Sequence, residues 1–174
     1  MDKLARLMAP APQLIEPWLL AEQHKYLTGE LKLSTLPRLL EVLASETGQV
    51  HYQLNFAKDP QGIVCILGSF GVDLQMYCQR CMNPMTVEIE RDISVGVVAT
   101  RAEADVLPEH YDPLIVTDSR LSLVRFIEDE ILLGMPMALR HESDDCPSSA
   151  IIEKLKSVTE RPFAKLKGLV VKNQ

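Results

Sequence analysis

No apolar stretch in this chain is long enough to cross a bilayer. The longest charge-free run ends at Val72 and is interrupted by Gly62, Gly68, Ser69 and Gly71, well short of the roughly 20 apolar residues a spanning helix needs. The opening residues carry Asp2, Lys3, Pro10 and Pro12 instead of an apolar signal core, so a cytoplasmic location is expected. Cysteine is scarce. In a reducing compartment Cys65, Cys78, Cys81 and Cys146 are expected to be thiols or metal ligands rather than two disulfides. Positive charge is scarce too: the net charge is −6, and residues 88–160 hold 16 acids against 7 bases. A free-standing nucleic-acid binder normally presents a basic face, and only the stretch 161–174, with Arg161, Lys165, Lys167 and Lys172 and no acid, is basic here. GxSxG, P-loop, GxGxxG and HExxH patterns are all missing, and His24, His51, His110 and His141 are scattered, so the sequence gives catalysis no support and no small-molecule substrate is expected. There is no internal repeat and no low-complexity tract.

What is present suits a folded domain. Apolar residues make up 47% and charged residues 24% of 174 positions, enough to build a core. The expected organisation is one α+β domain over residues 1–160 and a loosely held basic tail over 161–174. After a proline-punctuated start, Tyr26 to Leu33 reads as a short strand. Ser34, Pro37 and the stripe Leu36, Leu39, Leu40 and Leu43 predict a helix from Thr35 to Ser45, ending near Gly48. The period then changes to two. Val50, Tyr52, Leu54 and Phe56 alternate with polar residues, and Asp59, Pro60, Gln61 and Gly62 supply a turn. In the next strand Ile63, Cys65 and Leu67 occupy odd positions, whereas Phe70, Val72, Leu74 and Met76 occupy even ones. This phase slip predicts a β-bulge at Gly68 to Gly71. Met85, Val87, Ile89, Ile93, Val95 and Val97 then keep the odd phase opposite Glu88, Glu90, Asp92 and Ser94.

Three long alternating strands with short turns imply an antiparallel β-meander, or a partly closed barrel, covered by helices. Residues 100–119 read as an acidic connection with a short strand at Leu114 to Val116. A second helix follows, capped by Asp118 or Ser119, with Leu121, Val124, Ile127 and Ile131 on one side and Gly134 and Pro136 at its end. Beyond Arg140 the chain reads as a loop, then a weak helical pattern from Ile151 to Val158.

The most specific local feature is Cys78-Gln-Arg-Cys81, placed at a corner between two strands. Two thiols at this spacing can face one tetrahedral ion, and His141 and Cys146 are the remaining ligands that cluster plausibly. A zinc bound by Cys78, Cys81, His141 and Cys146 would staple the corner to the segment after the second helix. Free thiols are the alternative, with Asn83 as the residue best suited to a left-handed turn. A redox pair is a third reading, disfavoured because such a pair belongs at a helix N-terminus. Cys65 reads as a small buried hydrophobe.

Glu128, Asp129 and Glu130 splay around a helix and cannot all face one ion. They read as a solvated face or as an acidic patch toward a basic partner such as a ribosomal protein. In the tail, Arg161, Phe163, Lys165 and Lys167 interleave bases with an aromatic anchor, a pattern that can enter a groove or touch RNA.

Four blocks together, CQRC at 78–81, FIEDEILLGMP at 126–136, HESDDC at 141–146 and PFAKLK at 162–167, resemble the YceD family of large ribosomal RNA subunit accumulation proteins. The resemblance implies a non-enzymatic cytoplasmic factor for synthesis, processing or stability of 23S ribosomal RNA. Its implied partners are a large-subunit precursor, a ribosomal protein or the 23S RNA itself. Some relatives carry extra cysteines after the helix and prolines, which implies the same four metal ligands here, with His141 in place of one thiol. The family has no catalytic residues to transfer.

Overall fold

Alternation of apolar and polar side chains makes one face of an extended strand adhesive and the other wettable, and here it builds an open five-stranded sheet. In the computed structural model, which describes residues 14–142, Cys146 and Lys154, the long strands are β3 (Gln49–Lys58), β4 (Val64–Tyr77) and β5 (Pro84–Val98). With β2 (Tyr26–Lys32) and β6 (Asp112–Ile115) they form a five-stranded sheet in the order β2-β3-β4-β5-β6. The expected α+β class and the meander are both present, and the sheet does not close into a barrel. The last pairing, β5 with β6, is parallel, because the chain recrosses through α3 (Arg101–Ala104) before adding β6.

Val50, Leu54, Phe56, Ile66, Phe70, Val72, Leu74, Ile89, Ile93, Val95 and Val97 point into one core. Two helices cover it. The first, α1 (Pro17–Glu22), was hidden in the proline-punctuated start and lies against β3 and β4. The second, α4 (Leu123–Gly134), buries Leu123, Phe126, Ile127 and Ile131 and lies against β5. Two short strands, β1 (Leu14–Ile15) and β7 (Leu121–Ser122), pair beside them. No helix among the described residues is long and apolar enough to cross a membrane.

Three expectations are corrected. The predicted bulge is absent: β4 pairs in unbroken register with β3 from Lys58↔Val64 to Val50↔Val72 and with β5 from Val64↔Val97 to Tyr77↔Pro84. Even positions face the core along the whole of β4, and the apparent slip has two causes. Gly68 occupies a core-facing position where the β3 and β4 backbones approach too closely for a Cβ. Cys65, on the opposite face, is buried as expected of a small hydrophobe, while Tyr111 and Leu107 pack onto Gly96, its neighbour across β5. The predicted Thr35–Ser45 helix shrinks to a 3-10 turn (Leu33–Thr35) and α2 (Pro37–Leu40). Leu36 is held at φ −114°, ψ 79° ahead of Pro37, which keeps the preceding turn from joining α2. Leu43 instead bridges to Met76. Finally, α4 begins later than expected, with Ser122 Oγ accepting from Arg125 N at 3.4 Å, because Leu121 and Ser122 are committed to β1.

Candidate metal centre

The β4–β5 hairpin turns through Cys78 to Asn83. Cys78 N donates to Asn83 O at 2.9 Å and Met82 N to Cys78 O at 2.8 Å, closing a tight loop. Its left-handed residue is Met82, at φ 61°, not Asn83. The segment after α4 is tied across this loop, with Gln79 N donating to Leu139 O at 2.8 Å and Gln79 Nε2 to Met137 O at 3.4 Å. These ties bring residues about 60 positions apart into one cluster.

Donor atoms of Cys78, Cys81, His141 and Cys146 all lie within 4.8 Å of one another. Tetrahedral zinc, with bonds of about 2.3 Å to sulfur and 2.0–2.1 Å to nitrogen, sets its ligands roughly 3.5–3.8 Å apart. Cys81 Sγ and His141 Nδ1 are already 3.4 Å apart, so closing on an ion takes a contraction of about 1 Å at most. The chemistry also fits. Burial opposes ionisation of Cys78, but hydrogen bonds from the backbone of His141, Arg80 and Cys81 and from the Cys81 side chain prevail and bring its thiol down to about 5. His141 is held above its ordinary value by Cys78 and Cys146, against the effect of burial. For Cys81 a backbone hydrogen bond from Asn83 lowers the thiol, yet burial with Cys78 and Cys146 raises it overall. Arg80 adds a cation beside these sulfurs, its Nε donating to Cys146 Sγ at 3.0 Å and its Nη2 to His141 O at 3.4 Å. Sequence reasoning passed over Arg80; its place between the two cysteines was the available signal.

Residues 67–170 match the family described as Large ribosomal RNA subunit accumulation protein YceD. The chain belongs to the YceD family. A Haemophilus influenzae protein of that description is 29% identical over 165 residues, covering 91% of this chain and 95% of the relative. No solved structure matches. The stretch matched to the YceD family contains all four metal-ligand candidates and the whole of α4.

Within that stretch the acidic run divides by role. Glu128 is not on a solvated face: it is 1% exposed. Its Oε1 accepts from Arg38 N at 2.8 Å and Leu39 N at 3.2 Å, and its Oε2 accepts from Arg38 Nε at 2.8 Å. Helix α2 has no side-chain cap of its own, so a carboxylate from α4 supplies one. Buried there, Glu128 is not available as a partner contact. Asp129 is half exposed and pairs with Arg38 Nη2 at 2.6 Å. Glu130 borders a groove of about 420 Å³ between α4 and β6, lined also by Phe126, Leu132 and Asp112. Burial holds its carboxyl above the ordinary value, aided by Asp112 and Asp129 and opposed by Arg91. The tail residues Arg161, Phe163, Lys165 and Lys167 and, apart from Lys154, the helical pattern from Ile151 to Val158 lie outside the described residues.

Proposed function

We propose that this protein is a non-enzymatic cytoplasmic factor that sustains 23S ribosomal RNA by binding protein or ribonucleoprotein during large-subunit assembly. The observation that carries this reading is the family match across residues 67–170, together with a relative named for accumulation of that RNA subunit. Cys78, Cys81, His141 and Cys146 are the proposed ligands of one zinc. Four protein ligands fill a tetrahedral shell and leave no position for a reactive water, which makes the metal structural rather than catalytic. Such a clip fixes the β4–β5 corner to the chain beyond α4 and so holds the outer surface of the sheet in one shape. Asp129 and Glu130, and Arg161, Phe163, Lys165 and Lys167 of the tail, are proposed contacts for the partner.

Sedimentation of cell extracts at low salt tests the reading. The protein is expected to enrich with large-subunit precursors, and its loss to lower 23S RNA relative to the small-subunit RNA. If it never enriches there and 23S levels hold, the reading fails.

A further inference from the structure

The face of the sheet turned away from the core carries an unusual row of charges. Register places Glu30, His51, Gly71 and Glu90 side by side across β2 to β5, with Thr28, Gln53, Ser69 and Asp92 in the row on one side and Lys32, Gln49, Asp73 and Glu88 on the other. Gly71 and Ser69 give the middle of this face a low floor, and the result is a trough of about 1350 Å³. The β5 wall presents Glu88, Glu90 and Asp92 at alternate positions, which sets neighbouring carboxylates roughly 6–7 Å apart. None of these three, nor Asp73, has an ion-pair or side-chain hydrogen-bond partner among the described residues. Of the bases lining the trough, Lys32 sits across the sheet on β2, and the other two offer the β5 carboxylates little relief. His51 is matched to Glu30 at 3.1 Å, and the Arg91 side chain turns to the other face, where its Cδ lies against Gly134 of α4.

We propose that this trough binds a basic, extended segment of a protein partner, with Lys or Arg at alternate positions seated on Glu88, Glu90 and Asp92. An extended chain repeats its side chains every second residue at the same spacing as the β5 carboxylates, so one strand-like segment meets all three without bending. The low floor at Ser69 and Gly71 admits its backbone. The same charge repels a phosphate backbone, which selects polypeptide over RNA for this face. This deepens the proposed function by naming the chemistry of one contact, and it rests on that reading only for the setting in which the contact is made.

The test uses the full-length protein and a fluorescent twelve-residue peptide alternating Lys and Thr. The triple variant E88Q/E90Q/D92N is compared with E41Q/E109Q/D118N, which changes the charge equally at exposed positions outside the trough. Both variants are first shown to melt with the wild type. Anisotropy at low salt is expected to show the trough variant weakened about tenfold or more, the control within about twofold, and the difference lost as salt screens the pairs. Equal weakening in both variants overturns the proposal, as does binding of a labelled single-stranded RNA twelve-mer that E88Q/E90Q/D92N weakens. Deletion of 161–174 is expected to leave the peptide affinity unchanged; a gain of about tenfold or more makes the chain's own tail the occupant and overturns the proposal. Sedimentation separates this failure from that of the function itself. If wild type and E88Q/E90Q/D92N both enrich with precursors, the trough proposal falls and the function stands; if wild type does not enrich, the function falls and the peptide measurement alone judges the trough.

Discussion

Replacing Glu128 by alanine removes a cap that α2 cannot supply for itself. Two backbone donors, Arg38 N and Leu39 N, lose their acceptor, and Leu39 is fully buried, so water does not substitute easily there. Each hydrogen bond to a charged group contributes about 1.5–3 kcal/mol, and a buried donor left unpaired costs about 1–3 kcal/mol. The guanidinium of Arg38 loses one of its two carboxylate contacts but keeps Asp129, and being half exposed it contributes little to the total. The expected loss is therefore about 3–5 kcal/mol, a large part of the stability of an ordinary domain. Glu128→Gln retains one acceptor for the two amides and should cost about half as much, whereas Asp129→Asn breaks only an exposed pair and should cost under about 1 kcal/mol. Urea unfolding followed by the single tryptophan reads these values, because Trp18 packs against the core. If Glu128→Ala falls within about 1 kcal/mol of wild type, or if Asp129→Asn costs as much as Glu128→Ala, the capping argument is refuted.

Metal analysis of protein prepared without chelator is expected to find one zinc per chain, and chelation to lower the melting temperature by about 10 °C or more; Cys78→Ser should melt like the chelated wild type, and no response to chelator would remove the clip. Gly68→Ala places a methyl group against the Gln53 carbonyl and should destabilise by about 2–3 kcal/mol, a value that denaturant titration checks against a Gly71→Ala control, where the nearest atom to an added methyl lies 3.8 Å away. A carboxyl held above its usual range, as burial holds Glu130, binds its proton more tightly when folded. Stability from this group is thus full below the unfolded value and is lost as pH rises through the folded one. Glu130→Gln should match wild type below the unfolded carboxyl value of about 4 and become the more stable protein as pH rises through the raised folded value; a difference that stays constant with pH would contradict the assignment.

The strands were legible because period-two alternation survives wherever one face is buried, as in Val50 to Phe56. The turn at Asp59 was legible too, and its carboxylate accepts from Gln61 N and Ile63 N at 2.8 Å each. The metal cluster could be read from the two-residue spacing of Cys78 and Cys81 and from the nearness of His141 to Cys146, and among the described residues these four come together. What escaped depended on distance. Nothing near Glu128 in the chain distinguishes it from Asp129, and only the α2 amides, about 90 residues earlier, make it a cap. The false bulge came from counting Leu67 as a core residue, although it is 36% exposed, and from ignoring that a glycine can hold a core position. The leucine stripe of the expected Thr35–Ser45 helix was real core material, since Leu36 and Leu39 are fully buried, but Leu36 ahead of Pro37 prevented a continuous helix.

Because β1 finds its partner at Leu121–Ser122 and α2 its cap at Glu128, the early part of the chain cannot settle while it is being synthesised. Leu14, Ile15 and the amides of Arg38 and Leu39 must wait for roughly 90 to 110 more residues to leave the ribosome before their contacts exist, about 5 to 20 seconds at about 5–20 residues per second. The newborn chain therefore stays unfinished at its beginning until Glu128 has emerged.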